Sequence, residues 1–250
     1  MAHAKLAGGE PPPGGPTRGV LGVVPARGGS KGIPNKNLRE MAGRPLLQYV
    51  AEAAAESGVI DRLVLSTESP AIAALGRRLG IEVPFARPVD LASDEAPMLP
   101  VIQHAVRAIE AGGWPVEIVV LLQPTSPLRT GEQVRRAVTA LRESDADSVV
   151  SVQPVPLHLS PDFVLRLEDS RLVPFLAEGL RVTRRQDARP AYFRDGTVYC
   201  TRRDVLMNEG SIYGARCLPL IFPLGTTISI DTPEDWAAAE AALAVRRGGA

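Results

Sequence analysis

The sequence predicts an α/β protein built on a mostly parallel sheet flanked by helices, and three observations carry this. From Val20 onward, short β-branched or leucine-rich runs alternate with longer alanine-rich segments of helical period, the rhythm of strands joined by crossover helices. Capping and stop residues sit where those helices should begin and end. Polar clusters follow several of the strands, where an open parallel sheet collects its ligands. With 250 residues and 45% hydrophobic content, the chain can bury the core such a fold needs.

Taken in order, strands are expected at 20–24 (VLGVV), 62–66 (RLVLS), 82–85 (EVPF), 117–122 (EIVVLL) and 148–153 (SVVSVQ). Each is short and rich in Val, Ile or Leu, as strands covered on both faces are. Helices are expected at 45–57, 71–80, 98–112 and 132–144, with Thr130 capping the last and Gly58, Gly80 and Gly112 at stops. After Pro154 the rhythm breaks: prolines and short apolar pieces replace helical period, so 154–192 reads as an insertion outside the sheet. Strand-like pieces return at 197–201 (TVYCT), 217–222 (CLPLIF) and 226–230 (TTISI). A final helix follows, with Thr232 as N-cap, Pro233 at its first position and Asp235 three residues after the cap. There is no internal repeat.

Composition removes several functions. Lys plus Arg equals Asp plus Glu at 28 each, so no global field draws nucleic acid or an anionic membrane, and any anion site must be built locally. The two cysteines, Cys200 and Cys217, lack metal-ligand spacing and suit a reduced, cytoplasmic protein. No apolar run approaches the roughly 20 residues of a membrane span, and the N-terminus lacks a signal-peptide centre. Residues 1–18, rich in Pro and Gly, are expected to form a disordered tail ahead of a domain at 19–250.

The cluster after the first strand reads VVPARGGSKGIPNKN, residues 23–37. It is not a Walker A loop, because the order is Ser30-Lys31-Gly32 and Pro34 and Pro45 delay the helix whose N-terminus would meet a phosphate. Nor is it a dinucleotide fingerprint, since Gly28, Gly29 and Gly32 have the wrong spacing. What remains is a long connection whose glycines let amides approach an anion while Arg27, Lys31 and Lys36 supply charge. A triphosphate matches that supply; a solvated basic connector is the alternative for such a loop taken alone.

Pro25 to Asn37 resemble, throughout, the Pro-Ala-Arg-x-Gly-Ser-Lys-x-Ile/Leu-x-x-Lys-Asn run of the acylneuraminate cytidylyltransferases, the CMP-sialic acid synthetases and their relatives. The resemblance continues in RPVDLASD (87–94), LLQPTSPLR (121–129), RRQDARPAYFRDGTVY (184–199) and SIDTPEDW (229–236). It implies a Rossmann-like sheet of the nucleotide-diphospho-sugar transferase type, with the 154–192 insertion serving dimerisation. It also implies the reaction: the anomeric hydroxyl of an acidic 2-keto-3-deoxy sugar attacks the α-phosphate of CTP, and pyrophosphate leaves.

That chemistry is dominated by negative charge, so positioning, cations and Mg²⁺ should carry it. Arg27, Lys31 and Lys36 are the candidates for the triphosphate, with Gly28, Gly29, Ser30 and Asn37 in the nucleotide pocket and Arg87 on the cytosine. The resemblance gives Gln123, Thr125 and Ser126 to the sugar, types that suit hydroxyls and a carboxylate; a proline-rich turn with local caps is the other reading of that segment. Asp231 is the candidate Mg²⁺ ligand and can assist deprotonation. Arg184, Arg185 and Gln186 would reach the acceptor in a homodimer partner's site.

Two residues depart from the sialic acid branch. Ser229-Ile230-Asp231 stands where Asp-x-Asp is usual, leaving one carboxylate, as in the related 3-deoxy-octulosonate cytidylyltransferases. Asp195 stands where Asn often precedes Gly, which changes an amide to an acceptor-only group and can mark a different sugar. Asp235 and Thr232 read as helix caps, and His104 and His158 as structural. The expectation is therefore a cytidylyltransferase for N-acetylneuraminate or a related nonulosonate. An octulosonate or phosphonate acceptor, or a catalytically inactive nucleotide-binding protein, are the alternatives.

Overall fold

A computed structural model describes residues 19–29 and 32–248. The expected tail at 1–18, and Ser30 and Lys31 of the basic loop, lie outside the described residues. In chain order the elements are β1 (Gly19–Pro25), a small hairpin of β2 (Glu40–Met41) and β3 (Arg44–Pro45), α1 (Leu46–Ser57), β4 (Arg62–Ser66), α2 (Pro70–Arg78), α3 (Met98–Ala111), β5 (Val116–Leu121) and α4 (Gly131–Arg142). There follow β6 (Ser148–Pro154), β7 (Leu165–Glu168), β8 (Arg171–Pro174), β9 (Tyr192–Arg202), α5 (Arg203–Met207), β10 (Cys217–Ile221) and α6 (Pro233–Gly248).

Six strands form one sheet in the order β10-β6-β9-β5-β1-β4. β1 runs parallel to β4 and β5, and β10 parallel to β6, while β9 runs antiparallel between β5 and β6. The α/β, mostly parallel fold expected from the sequence is therefore present, with one reversed strand inside it. Helices cover both faces, as the strands' apolar runs require. On one face Val20, Val24, Ile118 and Val120 pack with Leu47 and Val50 of α1, Ile72 and Leu75 of α2 and Val134 and Leu141 of α4. On the other, Leu21, Val23 and Leu121 meet Ile102, Val106 and Ile109 of α3 and Leu206 of α5. A third cluster seats α6, through Trp236 and Leu243, on Ile33, Leu46 and Leu128.

The expected helix signals operate. Thr130 Oγ1 accepts from the Gln133 amide and the Gln133 side chain accepts from the Thr130 amide, a complete capping box on α4. Gly58 ends α1 with φ of +67°, which a side chain would resist. Two expected strands do not form. In 82–85 only Glu82 joins the sheet, as an isolated bridge to Val64, and Pro84, lacking an N–H, cannot extend it. In 226–230 the backbone turns sideways instead: the Thr226 amide bonds to Pro223 and the Ile230 amide to Thr125.

Between β6 and β9 the chain leaves the main sheet. There β7 and β8 pair with each other in a hairpin, and Leu167, Leu172 and Phe175 are each more than half exposed. Asp162 is buried and accepts from the Arg189 amide (2.8 Å) and guanidinium, tying the two ends of this excursion together. Both cysteines are free. Among the described residues no helix is long and apolar enough to cross a membrane.

Candidate active site

The chain passes from β1 out to β4 at one edge, then returns to β5 on the other side of β1. The carboxyl ends of β1 and β5 therefore flank a switch point, the place where loops diverge and leave a crevice. A cleft lies there, lined by Pro25, Arg27, Gly29, Lys36 and Asn37 after β1, Arg87 after β4, Met98 of α3, and Gln123, Pro124 and Thr125 after β5. Of the residues picked out for nucleotide and sugar, Arg27, Gly29, Lys36, Asn37, Arg87, Gln123 and Thr125 thus share one cleft.

The loop after β1 is shaped by bonds to its neighbours. The Gly28 amide donates to Glu68 Oε1 at 2.5 Å, an approach so close that a β-carbon on Gly28 would sit 3.1 Å from the same oxygen. Arg27 forms an ion pair with Asp94. Asn37 is buried, and its Nδ2 donates to the Arg27 carbonyl at 3.0 Å, so it fixes the loop as well as lining the cleft. Asn35 takes a left-handed φ of +53°, and the turn it makes directs Lys36 inward.

Lys36 Nζ donates to the Ile230 carbonyl at 2.7 Å and lies 3.8 Å from Asp231 Oδ1. Burial pulls its ammonium below the usual lysine range, with Asp231 opposing that shift and Arg27 adding to it. Gly32 passes against the Asp231 carbonyl, where any side chain would overlap the backbone. Asp231 itself is 75% exposed at its side chain. Asp235 accepts from the Asp231 and Thr232 amides at 3.0 and 2.9 Å and is held below the carboxylate range by them, as a cap should be.

Arg87 is buried, with Nε on Ser66 Oγ (3.0 Å) and Nη2 on the Ser66 carbonyl (2.5 Å). Desolvation lowers its pKa, and Glu68 counters this. Its plane is thus locked to the end of β4 at the cleft wall. Ser126, by contrast, is buried and donates to the Gly196 carbonyl at 3.0 Å; it is absent from the cleft lining. Arg184, Arg185 and Gln186 are exposed in a short turn of the excursion, where Arg184 pairs with Asp187 at 2.7 Å; they do not line the cleft. Asp195 is buried and accepts from Ser151, the Thr197 amide and Thr227.

Three site residues escaped the sequence reading. Glu68 and Asp94 hold the β1 loop, and Arg129 joins the segment after β5 to β9 with its guanidinium on the carbonyls of Gln123 and Thr197. The signal for Glu68 was available, since Thr67-Glu68-Ser69 follows β4 as the other polar clusters follow their strands. Asp94 and Arg129 both lie inside the motifs that carry the resemblance.

Fold and cleft together define an α/β nucleotide-handling enzyme class, with basic and glycine-rich backbone at the switch point. The cytidylyltransferase family profile matches residues 21–217, and the chain belongs to that family. It is a nucleotidyltransferase of the acylneuraminate cytidylyltransferase type. Among its relatives is a CMP-N,N'-diacetyllegionaminic acid synthase of Legionella pneumophila, 33% identical over 88% of this chain and 94% of that protein. An N-acylneuraminate cytidylyltransferase of Streptococcus agalactiae is 29% identical over 86% of this chain and 51% of that one. A pseudaminic acid cytidylyltransferase of Campylobacter jejuni is 27% identical over 86% and 92%. In fold, the chain is similar to a CMP:2-keto-3-deoxy-manno-octonic acid synthetase solved with CTP, at a TM-score of 0.70, 18% identity and coverage of 91% and 99%.

Proposed function

We propose that the protein joins CTP to an acidic nine-carbon 2-keto-3-deoxy sugar, N-acetylneuraminate or a related nonulosonate, releasing pyrophosphate. The observation that carries this is the meeting, in one cleft, of the β1 loop, Arg87 and Gln123-Pro124-Thr125 in a chain of the cytidylyltransferase family. Three relatives whose names specify legionaminic, N-acylneuraminic and pseudaminic acids support the acceptor class.

In this reading the β1 loop takes the triphosphate. Arg27 exchanges Asp94 for phosphate oxygens, while Lys31 and Lys36 with the amides of Gly28, Gly29 and Ser30 offset charge that grows on the leaving pyrophosphate. Asn37 holds the loop, and Arg87, fixed by Ser66, presents planar donors to the cytosine. Gln123 and Thr125 face the sugar's hydroxyls and carboxylate, and Ser126 supports them from behind. Asp231 takes the proton of the attacking hydroxyl, within reach of Lys36.

An exposed lone carboxylate beside the phosphate loop fits Mg²⁺ shared with substrate, which usually keeps one or two carboxylates, phosphate oxygens and water. Among the described residues no group of three His, Cys, Asp or Glu forms a cage of its own, and Asp231 is the residue that would hold the ion. Bound there, Mg²⁺ would neutralise phosphate charge. The apolar hairpin of the excursion supplies the homodimer contact, and Arg184, Arg185 and Gln186 extend towards the partner's acceptor.

Pyrophosphate release from CTP and Mg²⁺, measured across a panel of acidic 2-keto sugars that includes an octulosonate, tests the reading. Turnover is expected with a nonulosonate; none with any sugar would leave an inactive nucleotide-binding protein. Lys31→Ala should weaken CTP use and Asp231→Ala should remove metal-dependent turnover, and wild-type rates in either would overturn that assignment.

A further inference from the structure

Arg129 closes the QPTSPLR segment, and it is only 5% exposed. Its Nε donates to the Thr197 carbonyl at 2.5 Å and its Nη2 to the Gln123 carbonyl at 2.7 Å. Nη1 is buried without a partner among the described residues. Burial pulls this guanidinium down to about 9, with the Asp195 carboxylate opposing the shift, so it keeps its proton at neutral pH. Apolar residues could fill the same volume with no charge to desolvate. Stability is therefore a poor account of an arginine at this point.

The two carbonyls it joins belong to the two backbones that meet behind the cleft. Gln123 opens the loop after β5, and Thr197 follows the Gly196 turn of β9. Gly196 has φ of +75°, and a side chain on it would come within 3.3 Å of Gln123 Oε1 and 3.4 Å of Ser126 Oγ. The room for the Gln123 amide is thus set by the separation of these backbones. Ser126 makes a second tie, to the Gly196 carbonyl. On the far side of the turn, Asp195 is held by Ser151, Thr227 and the Thr197 amide. Thr227 is in turn bonded to Gln153, whose Oε1 accepts from the Gly225 amide at 2.8 Å. This places the strap leading to Asp231 in the same network.

We propose that Arg129, with Asp195 as its countercharge, is a positioning residue that fixes the Gln123 side chain for the acceptor sugar by clamping the loop after β5 to the Gly196 turn. The inference rests on Gln123 being an acceptor contact, as the proposed function has it. It also gives Asp195 a task within the protein, in place of a direct mark of sugar identity.

Arg129→Lys tests it, because lysine keeps the charge beside Asp195 but cannot span both carbonyls with a planar fork. Two readouts separate the clamp from the functional reading. In ¹⁵N NMR of the protein without substrate, the Gln123 side-chain amide should give a single sharp pair of signals in the wild type and shifted or averaged signals in the variant. With the acceptor that the panel identifies, the acceptor KM should rise about tenfold while the CTP KM stays within about twofold. A folded variant with an unmoved Gln123 signal overturns the clamp whether or not any acceptor turns over. A wild-type acceptor KM does so too. A panel without turnover would remove the functional reading and leave the NMR result to decide the clamp. If Arg129→Lys does not fold, Ser126→Ala removes the other tie without touching a buried charge, and the same shifts are expected; their absence is equally decisive against the proposal.

Discussion

Arg27 and Lys36 each hold an oxygen of the protein where a phosphate oxygen is expected: a carboxylate of Asp94 for one, the Ile230 carbonyl for the other. Such internal partners keep the cations in place before an anion arrives, at the cost of an exchange on binding. Lys36 carries a testable consequence in its pKa, which burial lowers. The unfolded chain then holds more protons than the folded one between the lowered value and the ordinary lysine value, so rising pH through that window favours folding. On the proposed reading, it also strips the triphosphate loop of a charge. CTP kcat/KM should therefore fall on the alkaline side before lysines in general deprotonate, and Lys36→Arg should remove that limb; a limb unchanged in the arginine variant would refute the role. At this scale the sequence was informative about residue type and poor about direction. Lys36, Asn37, Arg87 and Gln123 reach the cleft as their chemistry suggested. Ser126 does not, because a hydroxyl after a strand reads the same whether it faces a ligand or the Gly196 carbonyl.

Elements were legible where local signals and burial agree. α4 has an apolar stripe of Val134, Ala137, Val138 and Leu141, all buried, and a reciprocated cap at Thr130. Thr130→Ala should lower stability by about 1 kcal/mol, seen as a reduced urea midpoint with unchanged slope; an unchanged midpoint would show that the cap is redundant. Strands failed where pattern alone was available. The residues 226–230 alternate like a strand, yet Thr227 turns inward to Asp195 and Gln153, and side-chain hydrogen bonds of this kind compete with a ladder. β9 was longer than expected, beginning at Tyr192, because it continues across the irregularity at Asp195-Gly196. Local pattern announces its 197–201 part; the extension back to Tyr192 depends on pairing with β6, earlier in the chain, which no local periodicity reveals.

For the whole molecule, equal numbers of acidic and basic side chains meant that any anion site had to come from folding, and the cleft brings Arg27 and Lys36 of the loop after β1 together with Arg87 after β4. The excursion between β6 and β9 raises the question of oligomeric state, since Leu167 and Leu172 are 72% and 69% exposed on one small hairpin, the kind of surface that marks an interface. The double substitution Leu167→Glu/Leu172→Glu should convert a dimer to a monomer in sedimentation velocity; a monomeric wild type, or a dimer that survives the change, would refute this contact. β9 adds a constraint of a temporal kind. β5 and β6 never pair with each other; each needs β9, which is translated after both. While the ribosome is between residues 154 and 202, the emerging half-sheet presents two unzipped, valine-rich borders, Ile118–Leu121 and Ser148–Val152, to whatever is nearby. A chain stopped after Pro154 should accordingly precipitate when expressed alone, and a soluble, cooperatively melting fragment would contradict that. Until β9 is made, the edges of β5 and β6 that it will cover are open to pairing with other chains.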